Sequence, residues 1–111
     1  MNYEEMSDKG INREVASYFY DENWLSRHAD MLGMIPDYCN SPSDAWPIIV
    51  ENKISLIHTD NTWFAGIPNL DEGCWYFAPD DDGECVQFES YDKNPLRAAM
   101  IVFLMMQEQA K

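Results

Sequence analysis

Apolar and polar positions alternate along this chain with two different periods, and the change of period divides it into helices and strands. Ile11, Val15, Ala16 and Phe19 return to one face of a helix. Ser7 stands before them as an N-cap, followed by Asp8 and Glu14, and Gly10 weakens the helix from within. Over residues 21–36, DENWLSRHADMLGMIP, the pattern dissolves; a helical turn around 25–32 fits the spacing without being required by it, and the segment reads as a connection with apolar anchors. SPSD at 41–44 then supplies an N-cap serine, a proline at the first helical position and an acid at the third, an approximation to the capping box. Ala45, Trp46, Ile49 and Val50 give the short helix that follows one apolar face, Asn52 is its expected stop, and Pro47 removes one backbone donor.

Beyond Asn52 the period shortens. Residues 54–58 read as a strand, Asp60 and Asn61 as a turn, and residues 62–67 as a second strand ended by Pro68. The runs CWYFA (74–78) and ECVQFES (84–90) flank DDDG, whose Asp82-Gly83 step favours a hairpin, so they are expected to pair antiparallel as strands three and four. Asn94-Pro95 repeats the cap-then-proline signature and opens a helix to about Gln109 that is apolar on nearly every side between 98 and 106. Such a helix is covered on two faces. The order helix, helix, four strands, helix predicts an α+β fold. The arrangement it favours is a layered α/β/α sandwich with an antiparallel sheet of about four strands and a central apolar C-terminal helix, a two-layer packing being the alternative.

Length and charge narrow the setting. At 111 residues, 46% hydrophobic and 14% aromatic, the chain is expected to form a single domain over 1–111. Twenty Asp and Glu against seven Lys and Arg leave a net charge of −13. That surface repels phosphate backbones and anionic membranes, and the cations form no stripe, so neither direct nucleic-acid binding nor a membrane partner is expected. A basic protein suits it better. Cys39, Cys74 and Cys85 form no CxxC pair, and their odd count points to reduced thiols in a cytoplasm. MNYEEMSDKG lacks the apolar core of a secretory signal, and the longest apolar run has nine residues against the roughly twenty of a membrane span.

MSDKGINREVA, DYCNSPSDAWPIIVENKISL and NPLRAAMIVFLMM together resemble the pattern of the phage NinX-like proteins, a small family of unknown function. The resemblance spans most of the chain except 21–36 and the second hairpin. More loosely the chain is similar to phage α/β/α-sandwich domains, in which a helix of the DAWPII type leads into a strand and a PLRAAM-type helix closes the fold. The resemblance implies a bacteriophage or prophage accessory protein made in the bacterial host cytoplasm. It brings no catalytic residues.

The remaining motifs have plainer readings beside the chemical ones. DDDGE at 80–84 places Asp80, Asp82, Gly83 and Glu89 at calcium-loop spacing, but Ala78 holds the first ligand position and the flanks read as strands, so a solvated turn is favoured. Cys39, His58, Cys74 and Cys85 are zinc-type ligands without paired spacing; Cys74 and Cys85 can face each other across the predicted hairpin as two half-buried thiols, free cysteines commonly acting as small hydrophobes. Only His28 and His58 could serve a nucleophile; His58 beside Asp60 reads as a surface contact, and no glycine-rich phosphate loop is present.

No catalytic, cofactor or metal residues are therefore assigned. The aromatics Trp46, Trp63, Trp75, Tyr76 and Phe77 are mostly core, unless one face of the sheet is open. The candidate partner-binding residues are Trp63, Trp75, Tyr76, Asp80, Asp81 and Asp82. The leading expectation is a non-enzymatic protein-binding module with a host or phage protein, basic in character, or a second copy as partner. The alternative is an acidic nucleic-acid mimic that inhibits a DNA-binding or defence enzyme, and a small enzyme built on His58 ranks third.

Overall fold

A computed structural model describes residues 2–28, 35–68 and 86–110. After a 3-10 turn at Tyr3–Glu5, helices α1 (Asp8–Ala16), α2 (Glu22–His28) and α3 (Pro42–Asn52) precede strands β1 (Ser55–His58), β2 (Trp63–Pro68) and β3 (Val86–Asp92). Helix α4 (Pro95–Ala110) closes the fold. The strands form one antiparallel sheet in the order β1-β2-β3. Three strands rather than four make up the described sheet; the run 74–78 expected as a strand, and the DDDG turn beside it, lie outside the described residues.

The capping signals act as local chemistry demands. Ser7 Oγ accepts from Gly10 N at 3.1 Å and opens α1. Asn94 Oδ1 accepts from Leu96 N at 3.0 Å and from Arg97 N at 3.4 Å, opening α4 after Pro95 has fixed the first helical residue. At α3 the capping box is not built: Ser41 makes no side-chain cap bond and instead meets Ser43 Oγ at 3.2 Å. Pro47 is nonetheless accommodated inside a continuous helix. The helix ends at Asn52 as expected, and Lys53 after it is left-handed (φ 56°). Ile54 N then donates to Ile49 O at 3.0 Å, closing a Schellman-type end. The segment read as a connection contains α2, whose Trp24 N donates to Asp21 Oδ1 at 2.7 Å.

The layers differ from the expected α/β/α order. α4 packs against all three strands on one side and against α1 and α3 on the other. Among the described residues the sequence of layers is therefore sheet, α4, then α1 with α3. The physical reason is the composition of α4: Ala98, Ala99, Met100, Ile101, Val102, Phe103 and Leu104 are all buried, so it gains most from occupying the middle. The register puts Leu56 opposite Ala65, Ala65 opposite Ser90 and Ile67 opposite Phe88; Leu56, Ala65, Ile67 and Phe88 all join the core around α4. Alternation sends Phe64 to the far face, where it is fully buried and meets Tyr91 edge-on at 5.3 Å. Gly66 keeps room for that ring, since a Cβ there would lie 2.7 Å from Phe64 Cζ.

The buried face of α3 is rotated from the expected one. Ala45, Ile48 and Ile49 face the core, while Trp46 and Val50 are 58% and 54% exposed. On a helical wheel Trp46 and Val50 adjoin Ile49, so the apolar arc is wider than the contact surface, and packing against α4 selects the Ile48 side of it.

Candidate functional site

The N-terminal end of α4 is the most densely bonded place in the described structure. Arg97, 9% exposed, donates from Nε to Asp92 Oδ2 (3.0 Å) and from Nη1 to Asp8 Oδ1 (2.8 Å). Its Nη2 donates to the carbonyls of Tyr3 (3.2 Å), Glu4 (3.4 Å) and Met6 (2.6 Å). The planar fork of guanidinium suits this convergence of acceptors. Burial by itself would lower the Arg97 pKa, but the hydrogen bond to Asp8 and the charges of Asp92 and Asp8 outweigh it and hold the pKa above its ordinary value.

Around Arg97 the polar side chains knit three segments together. Asn94 Nδ2 donates to Cys39 O (2.6 Å) and to Asn40 Oδ1 (3.1 Å), Asn40 Nδ2 donates to Asp8 Oδ2 (3.2 Å), and Cys39 N donates to Asn12 Oδ1 (3.0 Å). Asn12 Nδ2 in turn donates to Asp37 Oδ1 at 2.9 Å. The Cys39 thiol is buried within this knot, and burial first, then the Asp8 carboxylate, pushes its pKa up to about 12. Such a thiol is a poor nucleophile. Every charge here is answered by a partner from the same chain, so the knot closes the fold.

The C-terminal half of α4 is finished differently. After α1 the chain turns tightly, with Phe19 N and Tyr20 N both donating to Ala16 O at 2.9 Å. This turn carries Phe19 outward. Phe19 remains 53% exposed although it stacks on Phe103 at 5.8 Å, while Tyr18 meets the same ring edge-on at 5.7 Å. Across from these rings runs α3, and the space between is an open groove of about 450 Å³ lined by Tyr18, Phe19, Pro47, Ile48, Glu51, Asn52, Phe103 and Gln107. Ile48 and Phe103 are buried at its base, and Glu51 and Asn52 stand on its rim. A second open cleft, between β3 and the end of α4, is lined by Phe88, Glu89, Met105, Glu108 and Gln109. There Glu108 accepts from Tyr3 Oη at 2.6 Å, and burial together with that bond raises the Tyr3 pKa.

Of the six residues expected to bind a partner, the described structure includes Trp63. It starts β2, half-buried, with its ring 5.0 Å from that of the exposed His58 on the neighbouring strand. Trp75, Tyr76, Asp80, Asp81 and Asp82 lie outside the described residues, as do Cys74 and Cys85, so neither the calcium-like spacing nor a thiol pair across the hairpin is described. Among the described residues no group of three or more His, Cys, Asp and Glu is placed to hold a metal ion. None of their helices is long and apolar enough to cross a membrane. Sequence reasoning missed the groove because Phe19 was read onto the buried face of the first helix and Ile48 was given no place on the apolar face of the second. The one available signal was the aromatic run SYFY at 17–20, richer in rings than a helix end needs.

A family model described as Bacteriophage P22, NinX matches residues 2–107. The chain belongs to that family. The match spans all three stretches read above as a resemblance, together with 21–36 and the second hairpin, which that resemblance did not cover. No curated protein and no solved structure matches this NinX-family protein.

Proposed function

We propose that this NinX-family protein is a non-enzymatic phage accessory module that binds another protein in the host cytoplasm. The observation that carries the reading is the open apolar groove between α3 and α4, where Phe19 stays half-exposed above a base of buried aromatic and aliphatic side chains. Exposed apolar surface bounded by polar residues suits a protein contact more than a reaction. The buried polar cluster points the same way: Arg97 donates to Asp8 and Cys39 N donates to Asn12, and neither residue lines the groove. Membership of a bacteriophage family supports a role during infection or in a prophage.

The net charge of −13 favours a second reading, an acidic mimic seated in the basic groove of a DNA-binding or defence enzyme. Capture of partners from phage-infected cells at low and at high salt separates the two. A partner retained at high salt and lost from a Phe19→Asp variant supports an apolar contact. A DNA-binding enzyme recovered at low salt alone, and equally by that variant, supports mimicry. Recovery of no partner at either salt would overturn both.

A further inference from the structure

We infer that the groove between α3 and α4 receives a short basic segment of a partner protein, an apolar side chain seated between Phe19 and Ile48 and a Lys or Arg beside Glu51. This rests on the binding-module reading and gives it a site and a partner chemistry.

Shape supplies the first argument. The groove is open to solvent along one side, its base is Tyr18, Ile48 and Phe103, and Phe19 forms a wall whose outer surface is still in contact with water. An incoming aliphatic or aromatic side chain removes that surface from water and packs against rings already fixed by mutual stacking, at little entropic cost to this protein. Aromatic residues at the centre of a contact, ringed by polar ones, carry most of its energy.

Charge decides what surrounds that side chain. Glu51 is the charged residue on the groove's lining, and no Lys or Arg lines it. The cleft on the opposite side of α4 repeats the combination, with Phe88 and Met105 below Glu89 and Glu108. Both clefts thus pair an apolar base with a carboxylate rim, in a chain of net charge −13. An acidic partner is repelled by that field, and a basic one is drawn in and oriented by it. A second copy of the chain meets the same repulsion. In addition, a groove of about 450 Å³ has the size of a site for a small ligand or a short segment, whereas a stable dimer buries roughly 1,200–2,000 Å² over a far broader surface.

The test is an unbiased selection of displayed random peptides on the full-length protein. Selected peptides are then titrated against wild type, Phe19→Ala and Glu51→Lys, each first shown to melt as wild type does. Peptides combining an apolar residue with Lys or Arg are expected. Phe19→Ala should weaken them at least tenfold, and Glu51→Lys several-fold with a shallower salt dependence. Selected peptides without basic enrichment, or bound equally by Phe19→Ala, would overturn the groove while leaving a binding module that uses another surface. Failure to select any binder would overturn both. Light scattering covers the remaining occupant: a dimer that Phe19→Ala converts to a monomer would assign the groove to a second copy and overturn the basic-segment proposal.

Discussion

At the N-terminal end of α4, Asn94 and Arg97 reach Cys39, Asn40, Asp8, Asp92 and three backbone carbonyls. The C-terminal half of the same helix is flanked by two open clefts, and the one beside α3 keeps Phe19 half-exposed above buried Ile48 and Phe103. One end uses directional bonds that already have their partners, and the other leaves non-directional surface unfilled. Hydrogen-bonding groups inside a fold must be matched within it, since an unmatched one costs about 1–3 kcal/mol. Apolar surface carries a smaller penalty per residue when exposed and can be kept for a partner. The difference teaches where such a molecule can still take a partner: at the end whose apolar surface is left unfilled.

The comparison breaks most sharply at Arg97. Arg97→Met leaves three carbonyls without their donor and two carboxylates without their cation. A loss of roughly 3–5 kcal/mol is expected in urea denaturation. The result should fall toward the lower figure because the Asp8 side chain, 45% exposed, can rehydrate. A loss below about 1 kcal/mol would mean the N-terminal knot does not hold the fold.

Alkaline pH probes the same end through Cys39. Its folded pKa is raised to about 12 from an ordinary 9.0, so the neutral thiol stabilises the fold fully below pH 9, and that contribution is lost as pH rises toward 12. Tyr38, also pushed up to about 12 by burial and then by the charges of Tyr20 and Asp44, acts in the upper part of the same window. Between neutral pH and about pH 10.5 the wild type should lose about 2 kcal/mol more than Cys39→Ala does. Parallel curves for the two proteins would show the thiol to be more open than its burial implies.

Asn94→Ala should cost about 1–2 kcal/mol, because it removes both the cap of α4 and the donor to Cys39 O. The smallest stability effect is expected at the open end. Phe19→Ala forfeits stacking on Phe103 but exposes little new surface, and a change under about 1 kcal/mol in the same denaturation assay, against a large loss of peptide binding, would sharpen the contrast between the two ends. A loss at Phe19 as large as that at Arg97 would abolish it.

Much of the local structure was legible because its causes are local. Ser7, Asn94 with Pro95, and the Asp60-Asn61 turn lie within four residues of the groups they bond or shape, and each stands where the spacing put it; at that turn Thr59 N donates to Thr62 O at 2.8 Å. The apolar run of α4 likewise required cover on two faces, and it has it. The position of α3 was harder to read. Trp46 and Val50 are as apolar as the residues beside them, and no period reveals which edge of a wide apolar arc meets a neighbour.

Arg97 was equally hidden, one of seven scattered cations in the sequence, since its acceptors at Asp8 and Tyr3 lie 89 and 94 residues away. By itself the sequence determined the capped helices, the antiparallel pairing of β1 with β2 across its turn, the acidity and the kinship to a phage family, because propensity, capping and charge act over a few residues or over the chain as a whole. The tertiary structure alone decided that α1 and α3 share one side of α4, that Arg97 is enclosed and that Phe19 overlooks an open groove. Those depend on which distant surfaces meet, and side-chain contact and exclusion of water are set by that meeting.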